Sequence, residues 1–98
     1  MRIDWRGVFP AVTTQFNRDL TLDLEATQRH IEVMIDAGST GLVMLGSLGE
    51  NVTLDRSEKR RVMRAAIEAA AGRVPVLSGV AETSTAAALS YARELERL

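Results

Sequence analysis

The chain has 98 residues, 46% of them apolar and 26% charged, with a formal net charge of −1. That balance describes one small folded unit with a core and a solvated surface; it excludes a disordered chain and gives no basic footprint for nucleic acid or an anionic membrane. With no cysteine in the chain, a disulfide framework and thiolate chemistry at zinc or an acyl carbon are excluded as well. No apolar run approaches the roughly 20 residues of a membrane span, and the amino terminus has no signal-peptide pattern, so a cytoplasmic protein without a membrane partner is expected.

In chain order, the stretch from Gly7 to Phe16 is mostly apolar and rich in β-formers, and its middle reads as a first strand. Asn17-Arg-Asp is a polar turn. Thr21 or Asp23 can cap a helix from about Leu24 to Ala37, whose apolar face carries Ala26, Ile31, Met34 and Ile35; Gly38 is placed to end it. Gly41 to Leu45 is apolar on both faces, as in a buried parallel strand. Asp55 with Glu58 three residues on forms a capping-box pattern, and Val62, Met63, Ala66, Ile67 and Ala70 recur at helical spacing until Gly72. Val74 to Val80 reads as a third short strand with Pro75 near its start. Thr83 or Ser84 caps a last helix with Ala88, Leu89, Ala92 and Leu95 on one face.

The pattern β-α-β-α-β-α with short connections predicts a parallel sheet joined by right-handed crossovers. Three such units do not close a barrel, and an open three-stranded sheet leaves two bare edges and a poorly covered face. With the last helix running to Leu98 without a cap or tail, the expectation is a piece of a larger α/β protein.

Chemistry is expected in the glycine-rich turn from Gly46 to Asn51, which follows a strand at its carboxyl end, where α/β sheets and barrels hold their ligands. The Ser47 hydroxyl and the backbone N–H groups can hold a small anion there, because glycines let a ligand approach the backbone closely. Gly46 and Gly49 serve turn geometry and close approach. Thr13 and Thr14, at the end of the first strand, lie on the same side, where their hydroxyls can face a ligand or simply serve a strand, and Gly79 ends the third strand there.

Four segments carry a resemblance to a known family: Gly7-Val-Phe-Pro-Ala-Val-Thr-Thr, Gly46-Ser-Leu-Gly-Glu50, Thr53-Leu-Asp-Arg-Ser-Glu-Lys-Arg and Pro75-Val-Leu-Ser-Gly-Val. In order and spacing the chain resembles the dihydrodipicolinate synthase/N-acetylneuraminate lyase family over essentially its whole length. The resemblance implies a (β/α)8 TIM barrel, of which residues 1–98 would be the first three β-α units within a single domain, and typically a tetramer, so a homo-oligomer is expected. It also implies class I aldolase chemistry, in which a lysine from a later strand forms a Schiff base with pyruvate or a related 2-keto acid, and the resulting enamine adds to an aldehyde or reverses that addition. No separate cofactor and no metal ion are expected.

In the family the turn is usually Gly-(Ser/Thr)-Thr-Gly-Glu. Its first hydroxyl falls on Ser47, which the resemblance makes the catalytic candidate, holding the keto-acid carboxylate or relaying a proton through a tyrosine. The second hydroxyl position is Leu48, which leaves only the backbone N–H and suggests a pocket wall suited to a less polar co-substrate. Gln15 likewise replaces a frequent proline. The expected substrate-binding set is therefore Ser47, Leu48, Gly46 and Thr14. Glu50 is expected to hold the turn rigid by accepting loop N–H bonds on its carboxylate.

Lys59, the only lysine, is read as part of a solvated charged face with Arg56, Arg60, Arg61 and Arg64, and therefore not as the Schiff-base nucleophile; that lysine and the relay tyrosine are expected beyond residue 98. His30 has no second ligand at metal spacing, Tyr91 reads as packing, Trp5 as a cover or interface residue, and Glu82 as a solvated loop residue. Two alternatives stay open beside an aldolase or synthase: a dehydratase or hydratase-aldolase acting on a sugar acid or aromatic pyruvate, and a catalytically silent fragment that self-associates through its bare edges. A flavodoxin-like half binding phosphate at the Gly46 turn is the remaining reading.

Overall fold

A computed structural model describes residues 2–98. Three helices, α1 (Leu24–Asp36), α2 (Arg56–Ala70) and α3 (Thr85–Glu96), alternate with two short strands, β1 (Leu42–Met44) and β2 (Val76–Ser78). The strands pair in parallel with Leu42 opposite Val76, Val43 opposite Leu77 and Met44 opposite Ser78. Among the described residues the sheet thus has two regular strands, not the three expected.

The segment expected as the first strand runs alongside β1 but forms only one parallel bridge, Ala11 to Val43. Its register explains why. Val8 O accepts from Thr40 N, and Pro10 O accepts from Val43 N, so two residues on one side face three on the other. Such a bulge breaks the ladder, and Pro10 has no N–H with which to extend it. Val12 N still donates to Val43 O at 2.9 Å, which keeps the segment docked in the parallel sense. Beyond it, Asn17 N donates to Thr21 O across the polar turn, and Phe16 faces Leu22 in an antiparallel bridge.

Each helix starts where a side chain can take up an orphan N–H. Asp23, not Thr21, caps α1 by accepting from Ala26 N at 2.9 Å. Asp55 accepts from Glu58 N while the Glu58 carboxylate accepts from Asp55 N, a complete capping box for α2. Ser84 caps α3 by accepting from Ala87 N. At the far ends, Gly38 takes the left-handed conformation (φ 104°) after α1, as expected. After α2 the left-handed turn begins one residue before the expected glycine, at Ala71 (φ 49°), and continues through Gly72. Asp55→Ala is expected to cost about 1 kcal/mol, the usual loss for an N-cap; a urea midpoint equal to that of the parent protein would contradict the cap.

The core forms where α1 and α2 pack together over the sheet, around Val12, Ile31, Leu42, Met44 and Val62, all at most 1% exposed. Two helix faces differ from expectation. On α2 Val62, Met63, Ala66 and Ala70 are buried as expected, but Ala65 joins them while Ile67 lies at the surface. On α3 Leu89 is exposed and the inward residue is Tyr91, whose ring is buried and whose hydroxyl bonds Ser78 Oγ at 2.7 Å. That polar pairing lets a phenol occupy a position that an aliphatic side chain would otherwise claim.

Outside this core, α2 and α3 are joined by charge. The Glu94 carboxylate accepts from both Arg56 and Arg60, and the Arg60 guanidinium also lies 5.2 Å from the Tyr91 ring centroid. These two arginines hold the Glu94 carboxyl down at about 2, from an ordinary 4.5. A carboxyl depressed on folding adds stability above its unfolded value, and that stability is lost as the pH falls through the folded one. Glu94→Gln is therefore expected to flatten the decline of the melting temperature between about pH 4.5 and pH 2; equal slopes for the two proteins would remove this pair from the account.

Candidate functional site

β1 ends abruptly. Leu45, fully buried, leaves the strand in the left-handed conformation (φ 55°), and Glu50 adopts the same conformation (φ 59°) before a 3-10 turn at Asn51–Thr53. For residues with a Cβ this geometry is strained, and strain of this kind persists only where surroundings enforce it. Between the two lies the tight turn Gly46–Gly49, closed by Gly49 N and Asn51 N on Gly46 O and by Glu50 N on Ser47 O.

The turn is held from behind. Thr14, 5% exposed, donates its hydroxyl proton to Gly49 O at 2.7 Å. Gly49 is buried so closely that a Cβ there would lie 2.8 Å from Leu45 N and 3.2 Å from Val12 O. Gly79, ending β2, is packed as tightly against the Leu45 carbonyl. Asn51, 2% exposed, donates Nδ2 to Leu45 O at 2.8 Å and reaches Gly79 O at 3.5 Å. Both neighbours are carbonyl oxygens, so the amide NH2 must face them.

The outer side of the turn is free. Ser47 is exposed and Leu48 is 63% exposed, and neither backbone N–H has an acceptor among the described residues. A Cβ at Gly46 would meet nothing within 4 Å, so that glycine leaves open space and is not demanded by packing. One hydroxyl and two N–H groups without an acceptor among the described residues thus belong to exposed residues at the carboxyl end of a parallel strand, an arrangement able to hold a carboxylate.

The candidates from sequence fare unequally. Ser47, Leu48 and Gly46 lie together on the open side. Thr14 comes to the same place, but the single proton of its hydroxyl is committed to Gly49 O, so that side chain holds the turn and has none to donate to an anion. Thr13 points away, its hydroxyl accepting from Gln15 Nε2. The Glu50 carboxylate, expected to brace the turn, is exposed and accepts no hydrogen bond among the described residues. Asn51 takes that part, because an amide can donate to the carbonyls that a strand end leaves unpaired and a carboxylate cannot. Its position beside a glycine-rich turn was the only signal in the sequence.

Lys59 also departs from expectation: it is 6% exposed, with Nζ 3.4 Å from Glu82 Oε1. Helical spacing explains this, since position 59 shares its face with Val62, Met63 and Ala66, while Arg61 and Arg64 are exposed. Glu82 is accordingly an ion-pair partner and not a solvated loop residue. The pair lines a small cleft of about 150 Å³ with Leu54, Arg56, Arg60 and Ala87. Trp5 is 66% exposed and stacks on Phe9, with ring centroids 5.7 Å apart. Among the described residues no group of three His, Cys, Asp or Glu side chains is placed to hold a metal ion, and no helix is long and apolar enough to cross a membrane.

Residues 4–98 match the dihydrodipicolinate synthetase family. The chain belongs to that family. A curated member, 4-hydroxy-tetrahydrodipicolinate synthase of Ruegeria pomeroyi, is 42% identical over 94 residues, which are 96% of this chain and 32% of the relative. Among solved structures, that of a putative dihydrodipicolinate synthetase from Pseudomonas aeruginosa superimposes with a TM-score of 0.92 at 33% identity, covering 96% of this chain and 32% of its own. A prophage protein of the dihydrodipicolinic acid synthase family from E. coli K12, solved in complex with pyruvate, gives 0.89 at 34% identity, covering 95% and 31%. The chain therefore spans about a third of the length of its family relatives.

Proposed function

We propose that this chain is the amino-terminal part of a class I aldolase-type lyase or synthase, residues 1–98 being the first three β-α units of a single (β/α)8 barrel. Family membership supports the reading, as does the parallel sense of all three β segments, the first bulged. The observation that carries it is the outward-facing Ser47 hydroxyl beside the free N–H groups of Ser47 and Leu48. In this reading they hold the carboxylate of pyruvate or a related 2-keto acid. A lysine outside this chain condenses with the keto carbonyl, releasing water and forming an imine. Protonated, the imine draws electrons from the adjacent carbon, which loses a proton to become an enamine. That carbon attacks the carbonyl carbon of an aldehyde, and hydrolysis of the imine returns the lysine. Cleavage is the same sequence reversed.

Lys59 takes no part, since its ammonium is engaged by Glu82 inside the α2 face. In the full-length protein, pyruvate with borohydride should trap a stoichiometric adduct on a lysine of a later strand, and Lys59→Met should trap as well as the parent. An adduct on Lys59 would sink this assignment. Ser47→Ala should lower kcat/KM for the keto acid by roughly 10- to 100-fold, the loss of a hydrogen bond to a charged group.

A second reading, a hydratase-aldolase acting on an aromatic pyruvate, is favoured by the apolar, exposed Leu48 where the family usually has a hydroxyl. Comparing turnover of an aromatic and a polar aldehyde separates the two. Self-association fits the exposed Trp5 and Val8 (62% exposed), and sedimentation of the full-length protein tests it.

A further inference from the structure

We propose that Asn51 is the positioning residue of the Ser47 turn, the group that sets the outward face of the turn for a carboxylate. The inference rests on the keto-acid reading above for its ligand, while its geometry stands independently. The Ser47 turn is bracketed by two left-handed residues with side chains, Leu45 and Glu50. Such a conformation relaxes unless something holds it, and the release of either bracket would displace the Ser47 and Leu48 N–H groups between them. Asn51 holds both ends. Its backbone N donates to Gly46 O at 3.3 Å, closing the turn directly after Glu50. Its side chain reaches back across the turn to donate to Leu45 O at 2.8 Å, fixing the carbonyl that the left-handed kink turns out of the ladder.

The same Nδ2 approaches Gly79 O at 3.5 Å, and Gly79 is packed against that same Leu45 carbonyl. Asn51 thereby ties the turn after β1 to the end of β2, and the placement of Ser47 becomes a property of the sheet and not of a free loop. Its Oδ1 is buried without a hydrogen-bond partner among the described residues. An acceptor left unsatisfied in the interior is costly, so an aspartate, with two acceptors and no donor, would be worse still at this position. Thr14 supplies a second hold, at 2.7 Å on Gly49 O alone, and reaches neither left-handed end of the turn. Asn51 touches no reacting atom in this scheme; it acts through the backbone of the turn.

The test uses the full-length protein with Asn51→Ala, Asn51→Ser, Ser47→Ala and the Asn51→Ala/Ser47→Ala pair. Asn51→Ala should raise the KM for pyruvate about tenfold or more, measured well below its melting temperature, with a smaller change in kcat. Asn51→Ser, which restores a short donor, should recover part of that loss. Because both residues act on one contact, the double variant should be no worse than the poorer single variant by more than about twofold. Hydrogen exchange at the Ser47 to Glu50 amides should quicken in Asn51→Ala, whether or not pyruvate binds. If the parent protein forms no adduct with pyruvate while exchange at the turn quickens, the keto-acid reading fails and the positioning role stands. Unchanged KM together with unchanged exchange at the turn overturns the proposal; so does a loss that multiplies fully with Ser47→Ala. Should Asn51→Ala not fold, Asn51→Ser carries the same comparison.

Discussion

Replacing Gly79 with alanine is expected to lower the melting temperature by roughly 10 °C or more, the signature of about 2–3 kcal/mol lost from a unit of this size. A Cβ at this position would fall within the contact distance of the Leu45 carbonyl oxygen and lie 2.9 Å from the Leu45 carbonyl carbon and 3.3 Å from Gly46 Cα. All three are backbone atoms, so no flexible side chain can swing aside. The carbonyl in question is the one that Asn51 holds, and moving it disturbs the kink as well as the packing. Gly46→Ala is the matched control: its Cβ would meet nothing within 4 Å, and it should be nearly neutral in stability. Thermal unfolding of the two variants side by side checks the difference, and equal melting temperatures would refute the close approach of the two strand ends.

Tyr91→Ala is expected to cost about 3–5 kcal/mol, a large share of the roughly 5–15 kcal/mol by which domains are stable. Tyr91 is only 1% exposed, the largest fully buried side chain among the described residues, and the principal inward anchor of α3. Removing the ring leaves a void between α2, α3 and β2 and takes away the surface under Arg60. Tyr91→Phe divides the effect. It keeps the ring and removes only the hydroxyl bond to Ser78 Oγ, so its cost should be about 1 kcal/mol. Burial raises the phenol above its ordinary ionisation, and the Ser78 hydroxyl and the nearby Arg60 charge oppose that shift only in part. The hydroxyl therefore stays protonated at neutral pH as a structural pair. Urea midpoints of both variants measure the division; a Tyr91→Phe loss as large as that of Tyr91→Ala would place the stability in the hydroxyl and not in the packed ring.

Much of this arrangement was legible beforehand because it is written in local chemistry. The capping box at Asp55 and Glu58 and the left-handed Gly38 follow from residues acting on their own or adjacent backbone; the apolar run of β1 is buried at Leu42 and Met44, while Val43 between them is only half-buried. Family membership was equally legible, because it depends on residue identity in register along the chain. Other features depended on distant partners. The first β segment has strand composition, yet its pairing fails at a bulge that only the register of Val8 and Pro10 against Thr40 and Val43 reveals. Lys59 looked solvated among arginines, but the rotation of α2 buries its stem and pairs it with Glu82, 23 residues away.

The turn from Gly46 to Asn51 divides the same way. Its composition determined that a glycine-rich, hydroxyl-bearing loop follows a buried strand, because glycine spacing and apolar runs are local properties. Which residues face outward and which hold the loop was decided only by the tertiary structure. Thr14 and Gly79 arrive from segments far apart in the chain, and the second acceptor of Asn51, Gly79 O, comes within reach only when the ends of β1 and β2 lie side by side. The left-handed kink at Leu45, which brings its carbonyl within reach of Asn51, leaves no pattern along the chain, so Glu50 seemed the brace and Asn51 proved to be it.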